Sequence, residues 1–137
     1  SHVTRDWREE LRWLGYGQRL ALRQRNVSAA PAAGEPSTAQ RMWARALHAG
    51  GTAAGQRGWG LTPGARADAL VADGQDPALL GIPPQRTLDA LVFSSPACAW
   101  RDVLVAGRWV IRAQQHAHQA PIAQAFHDAM AMLWADN

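Results

Sequence analysis

Gly60-Leu61-Thr62-Pro63-Gly64-Ala65-Arg66-Ala67-Asp68-Ala69-Leu70-Val71-Ala72-Asp73 is the stretch on which the reading of this chain turns. Its opening, Gly60 to Gly64, is turn chemistry, with two glycines bracketing a Thr-Pro pair. Ala69-Leu70-Val71-Ala72 is a short apolar strand, closed by Asp73-Gly74. From Gly58 onward the chain therefore leaves a helical pattern and enters a β pattern.

Downstream, Leu88 to Phe93 is a second strand candidate. Asp102 to Val105 and Arg108 to Ile111 flank Ala106-Gly107, which reads as a hairpin with a two-residue turn. Pro121 to Trp134 closes the chain as a helix with proline at its start and an apolar stripe of Ile122, Phe126, Met130 and Leu133.

Upstream, Thr4 to Arg25 has Trp7, Leu11, Leu14, Gln18 and Leu22 at spacings of four and three, with Thr4 as N-cap. Val27 to Pro36 breaks that pattern and is a loop. Ser37 and Gln40 form a capping box. The helix it starts runs through Met42, Trp43 and Leu47 and is expected to stop at Gly50-Gly51, with a further short turn over Thr52 to Gly55. Two helices, a few strands and one helix result. So few strands do not make an independent sheet, because their apolar face needs a cover.

Composition narrows the function classes. The 137 residues are 47% hydrophobic and 18% charged, ordinary for a globular protein. The net charge is +3, and all 14 basic residues are Arg. They are scattered along the chain, often beside carboxylates such as Glu9, Glu10 and Asp102, which argues against a nucleic-acid surface. No apolar run approaches the roughly 18 residues of a membrane span. Cys98 is the single cysteine, which excludes an internal disulfide and a cysteine-based zinc site and fits the cytoplasm. The seven tryptophans are packing anchors in so short a chain. No Gly-x-x-x-x-Gly-Lys-Ser/Thr loop exists, since there is no Lys.

The Gly60–Asp73 stretch resembles the amidohydrolase-superfamily pattern Gly-Leu-x-x-Gly-x-x-Ala-Asp-x-x-x-x-Asp. Ala46 to Gly55 is similar to the helix that precedes it in that family, and Asp102 to Ile111 is similar to its closing hairpin. Ser1-His2-Val3, followed by Glu9-Glu10-Leu11-Arg12-Trp13-Leu14-Gly15-Tyr16-Gly17-Gln18-Arg19-Leu20, resembles the formimidoylglutamate deiminases. Arg101-Asp102-Val103 through Arg108-Trp109-Val110 is compatible with them.

The resemblance implies an α/β parent. The chain would be the C-terminal piece of a TIM-barrel amidohydrolase: last barrel helices, part of the small β-sandwich, and a C-terminal helix. The corresponding divisions are 1–57 for the barrel helices, 58–112 for the sandwich portion and 113–137 for the terminal loop and helix. It implies a divalent metal, zinc in the usual case, in the intact parent and none in this piece, because the ligand Asp would immediately precede Ser1. A metal-bound hydroxide would attack the formimino carbon and release ammonia. No catalytic residue of that scheme falls on a position here. Ser1 and His2 would lie at the rim, where a helix N-terminus suits the carboxylate of a glutamate-like small-molecule substrate.

The resemblance leaves a homodimeric parent open and implies no nucleic-acid or membrane partner. It also implies that the isolated piece is inactive. In this pattern Asp68 leads into a sandwich strand, so a turn or hydrogen-bonding role suits it better than acid catalysis. His116-Ala117-His118 has the spacing of the superfamily's first metal motif but sits among Gln114, Gln115 and Gln119, a surface loop composition. His48 and His127 read as ordinary helix residues. Two other readings compete. One is a non-catalytic module pairing with another chain through Trp7, Leu11 and Leu14. The other is an amidohydrolase acting on a different substrate, such as a nucleobase.

Overall fold

The computed structural model describes residues 6–56, 58–94 and 100–135. Helix α1 spans Trp7–Leu22, and its cap is Asp6, whose side chain accepts the amide of Arg8. Thr4, expected to cap it, lies outside the described residues. Arg8 folds back on Asp6, with Nη2 2.8 Å from Oδ2. That ion pair holds the Asp6 carboxyl below its usual range, first through the side-chain hydrogen bond from Arg8. The helix stops at Leu22 because Arg23 turns left-handed, at φ 53°. The loop that follows contains a 3-10 turn at Pro31–Ala33, pinched by a bridge between Ala30 and Glu35.

Helix α2 covers Thr38–Ala53, capped by the Ser37 side chain on the Gln40 amide as the capping box requires. It does not stop at Gly50-Gly51. Gly51 is a point of close approach, since a Cβ there would sit 2.8 Å from Cβ of Trp59. The left-handed residue that ends the helix is Gly55, at φ 67°. Thr52 to Ala53 are therefore the last turn of α2 and not a separate element.

The expected strand at Leu88 to Phe93 is a helix, α3 (Thr87–Phe93), led in by a 3-10 turn at Pro84–Arg86. A short apolar run fits a buried strand or a buried helix equally well. Here helix wins because consecutive residues Ala90, Leu91 and Val92 are all buried, facing partners on two sides. Val92 joins Leu11, Ala39 and Met42 in one cluster, with Trp7, Trp43 and Phe93 against it. Ala90 and Leu91 join Leu79 in a second, flanked by Ala72 and Trp100. Leu88 touches both. Asp89 adds a polar tie, accepting the Ala39 amide at 2.9 Å at the start of α2.

The sheet is an antiparallel meander in the order β1 (Ala69–Ala72), β2 (Trp100–Val105), β3 (Arg108–Arg112), β4 (Gln115–His116). β1 pairs with β2 from Ala69 opposite Leu104 to Ala72 opposite Trp100, with a bulge near its end. The Ala106-Gly107 hairpin forms as expected, both residues left-handed at φ 49° and 77°. A second, unexpected hairpin follows, with Ala113 and Gln114 at φ 48° and 64°. The segment read as loop around His116 thus contains β4. Helix α4 (Gln119–Ala135) ends the described chain and has no buried residue.

Candidate functional site

A cleft of about 660 Å³ lies between the three packed helices and the β1–β2 pair. Its walls carry Trp7 from α1, Trp43 from α2, Trp59 from the following turn and Trp100 from β2. Trp7 is the hub: its ring lies 4.1 Å from that of Trp43 and 5.9 Å from that of Trp100, centroid to centroid. The Arg8 guanidinium sits 5.1 Å over the Trp100 ring, so its charge is shared between Asp6 and an aromatic face. Leu61 on the rim is 84% exposed.

The lining is apolar apart from Arg66, Asp68 and Thr87. Arg66 and Asp68 pair with each other at 2.9 Å. The same carboxylate accepts the Ala106 amide at 2.7 Å, and Gly107 donates to the carbonyl of Ala67 at 2.8 Å. Asp68 therefore clips the start of β1 to the Ala106-Gly107 turn, a hydrogen-bonding role of the kind its motif suggested. Among the described residues lining the cleft, the polar groups are the paired Arg66 and Asp68 and the hydroxyl of Thr87.

Two buried donors have no acceptor among the described residues: Trp7 Nε1 and Arg12 Nη2. Arg12 Nε donates to the carbonyl of Val92, which leaves its second nitrogen unmatched. Buried polar groups of folded proteins are nearly always matched. A second hollow, about 370 Å³, is polar and carries Arg19, Arg25 and Arg86, with Asp89 already engaged by Ala39 and Arg86.

Of the residues singled out in the sequence, Ser1, His2 and Cys98 lie outside the described residues. His116 and His118 do come together, with ring centroids 5.8 Å apart. Nδ1 of His116 already accepts the His118 amide at 3.1 Å, so one ring nitrogen is committed to the backbone. His48 and His127 are exposed on α2 and α4. Among the described residues no three His, Cys, Asp or Glu side chains converge as a metal would require. The described residues therefore do not fit a resident metal. Trp7 and Leu11, expected as a free contact face, are instead packed on α2 and α3, while Leu14 is exposed. No described helix is long and apolar enough to cross a membrane.

The cleft itself was not read from the sequence, because its four tryptophans come from positions 7, 43, 59 and 100. The high tryptophan count was the available signal.

No family model matches the chain. A formimidoylglutamate deiminase from Pseudomonas aeruginosa is 42% identical over 126 residues, which is 92% of this chain and 27% of that protein. A crystal structure of an amidohydrolase from Brucella melitensis superposes with a TM-score of 0.80 at 32% identity, over 96% of this chain and 28% of the other. The chain thus spans about a quarter of the length of either. Over nearly its whole length, the chain is similar to part of a formimidoylglutamate deiminase and to part of an amidohydrolase.

Proposed function

We propose that this chain is the C-terminal portion of a metal-dependent hydrolase that converts N-formimino-L-glutamate to N-formyl-L-glutamate and ammonia. The observation that carries this reading is the 42% identity to the Pseudomonas deiminase, spread over 126 residues. In this reading α1 and α2 belong to the end of a (β/α)8 barrel, and β1 to β3 to a small sandwich beside it. The metal, zinc in the usual case, and the groups that move protons belong to the rest of the enzyme. The single cysteine suits a cytoplasmic enzyme.

The cleft supports the reading in a physical way. Trp7, Trp43, Trp59 and Trp100 line an open apolar hollow, and Trp7 offers a buried N–H with no acceptor among the described residues. A polypeptide packed into the hollow would cover the rings and supply a carbonyl. Among the described residues no cluster of metal-binding groups stands in for the centre that this reading assigns to the rest of the enzyme, and the isolated chain is expected to turn over no substrate.

A chimera tests both halves. The matching portion of the Pseudomonas enzyme is replaced by residues 1–137, and ammonia release from N-formimino-L-glutamate is followed. Retained turnover by the chimera, with none from the 137-residue chain alone, is the expected result. A folded, metal-loaded chimera that ignores this substrate but deaminates a nucleobase would move the assignment elsewhere in the superfamily. Turnover with stoichiometric metal in the isolated chain would overturn the division of labour.

A further inference from the structure

The arginines are scattered in sequence, yet folding gathers three of them round one hollow. The polar pocket of about 370 Å³ is walled by Arg19 in the last turn of α1, Arg25 in the loop that follows, and Arg86 in the 3-10 turn before α3. Its volume falls at the lower end of the roughly 300–1,000 Å³ of small-molecule sites. Asp89 is the single carboxylate among the described residues lining it. One Asp89 oxygen accepts the Ala39 amide at 2.9 Å, and the other lies 3.4 Å from Arg86. Among the described residues Arg19 and Arg25 pair with no carboxylate. Three guanidinium groups thus line the hollow against one negative charge that is already engaged. Guanidinium does not lose its proton in proteins, so the excess persists at every physiological pH.

The wall is held in place by the protein itself. Arg23 and Asn26, left-handed at φ 53° and 52°, turn the chain after α1. Arg41 on α2 donates to the Ser28 carbonyl at 2.9 Å and pairs with Glu35 at 2.8 Å, which ties the loop to α2. Tyr16, Ser28 and Thr38 add hydroxyls to the lining, and the Tyr16 ring lies 5.9 Å from that of Phe93.

We propose that this pocket binds a small molecule through a phosphate monoester group. A carboxylate has two oxygens, which a single arginine fork satisfies. A phosphate monoester has three terminal oxygens and close to two charges at pH 7, so several guanidinium groups can share it. The hydroxyls complete its hydrogen bonds, and Val27, Pro36 and Phe93 bound the space left for an uncharged organic remainder. The proposal rests on this pocket alone and is independent of the substrate assignment.

Isothermal titration calorimetry of the full 137-residue chain tests it, with glycerol 3-phosphate as the probe and citrate as a carboxylate of higher charge. The titration is run in about 0.15 M NaCl, where exposed charges are screened beyond roughly 8 Å. One glycerol 3-phosphate binds per chain with a submillimolar Kd, and more tightly than citrate. Arg19→Gln and Arg25→Gln each weaken it at least tenfold, as expected for the loss of a charge-assisted hydrogen bond. Arg108→Gln on β3 removes the same charge outside the pocket and leaves binding unchanged. Arg19 and Arg25 are exposed, so their variants keep the wild-type circular dichroism and melt. Absence of saturable binding to the wild-type chain overturns the proposal. So does tighter binding of citrate, or a loss with Arg108→Gln equal to that of the pocket variants.

Discussion

Asp68 and Ala106, 38 positions apart, are joined by a 2.7 Å hydrogen bond from the Ala106 amide to the Asp68 carboxylate. The same device recurs eleven residues apart, where Asp102 accepts the Ala113 amide at 2.9 Å. In each case the second turn residue donates to the carbonyl just before the Asp: Gly107 to Ala67, and Gln114 to Arg101. In each case an arginine pairs with the carboxylate, Arg66 and Arg101 respectively. Both two-residue turns are thus held by an aspartate on a neighbouring strand or at its edge.

Removing the first clip leaves the Ala106 amide without its acceptor. Asp68→Ala lowers stability by about 1–2 kcal/mol, read as a shift in the urea midpoint. Asp68→Asn, which keeps one oxygen, loses less. An Asp68→Ala midpoint equal to wild type would mean that the strand pairing alone holds the hairpin.

Ala106 occupies the left-handed region at φ 49°, where its Cβ crowds the following carbonyl. Asn tolerates that conformation and makes the Asn-Gly pair preferred in such turns. Ala106→Asn therefore raises stability by about 0.5–1 kcal/mol. The clip from Asp68 uses only the backbone amide, so it survives the change. A thermal melt that falls instead would show that the turn is not strained.

These turns also separate what the sequence revealed from what it concealed. Ala106-Gly107 was legible because glycine marks a left-handed position between two strand patterns. Ala113-Gln114 was not, since neither residue signals that conformation and the stabilising group, Asp102, lies on another strand. Leu88 to Phe93 misled because periodicity over so few apolar residues does not distinguish a buried strand from a buried helix. Asp89, which caps α2 from α3, was the hint that the segment is helical. The family could be recognised from contiguous phrases, whereas the tryptophan cleft could not, because contacts between positions 7, 43, 59 and 100 exist only after folding.

Asp102 makes the fold acid-sensitive. The Ala113 amide, and then Arg101, hold its carboxyl below the ordinary value of 3.8. Asp6 is lowered as well, chiefly by Arg8. A carboxyl whose folded pKa lies below its unfolded value contributes stability above the unfolded value, and loses it as pH falls through the folded one. Stability contributed by these groups is constant from pH 7 to about 5 and declines below about 4. Urea midpoints between pH 7 and 2 check this. Asp102→Asn makes the acid decline shallower without reversing it, because Asp6 still titrates.

Gly50 and Gly51 stand side by side in α2 and respond oppositely to one methyl group. Both lie inside the helix, where alanine is favoured over glycine by about 1 kcal/mol. At Gly50 an added Cβ meets nothing within 4 Å, so Gly50→Ala raises the melting temperature by a few degrees. At Gly51 the new atom would lie 2.8 Å from Cβ and 3.1 Å from Cγ of Trp59. Cβ is fixed to the backbone, so relief requires the turn carrying Trp59 to move away from α2. Overpacking of this kind costs roughly 1–3 kcal/mol, which exceeds the gain in helix propensity. Gly51→Ala therefore lowers the melt where its neighbour raises it, and it displaces a wall of the cleft. A rise at both positions would show that Trp59 is not seated against α2.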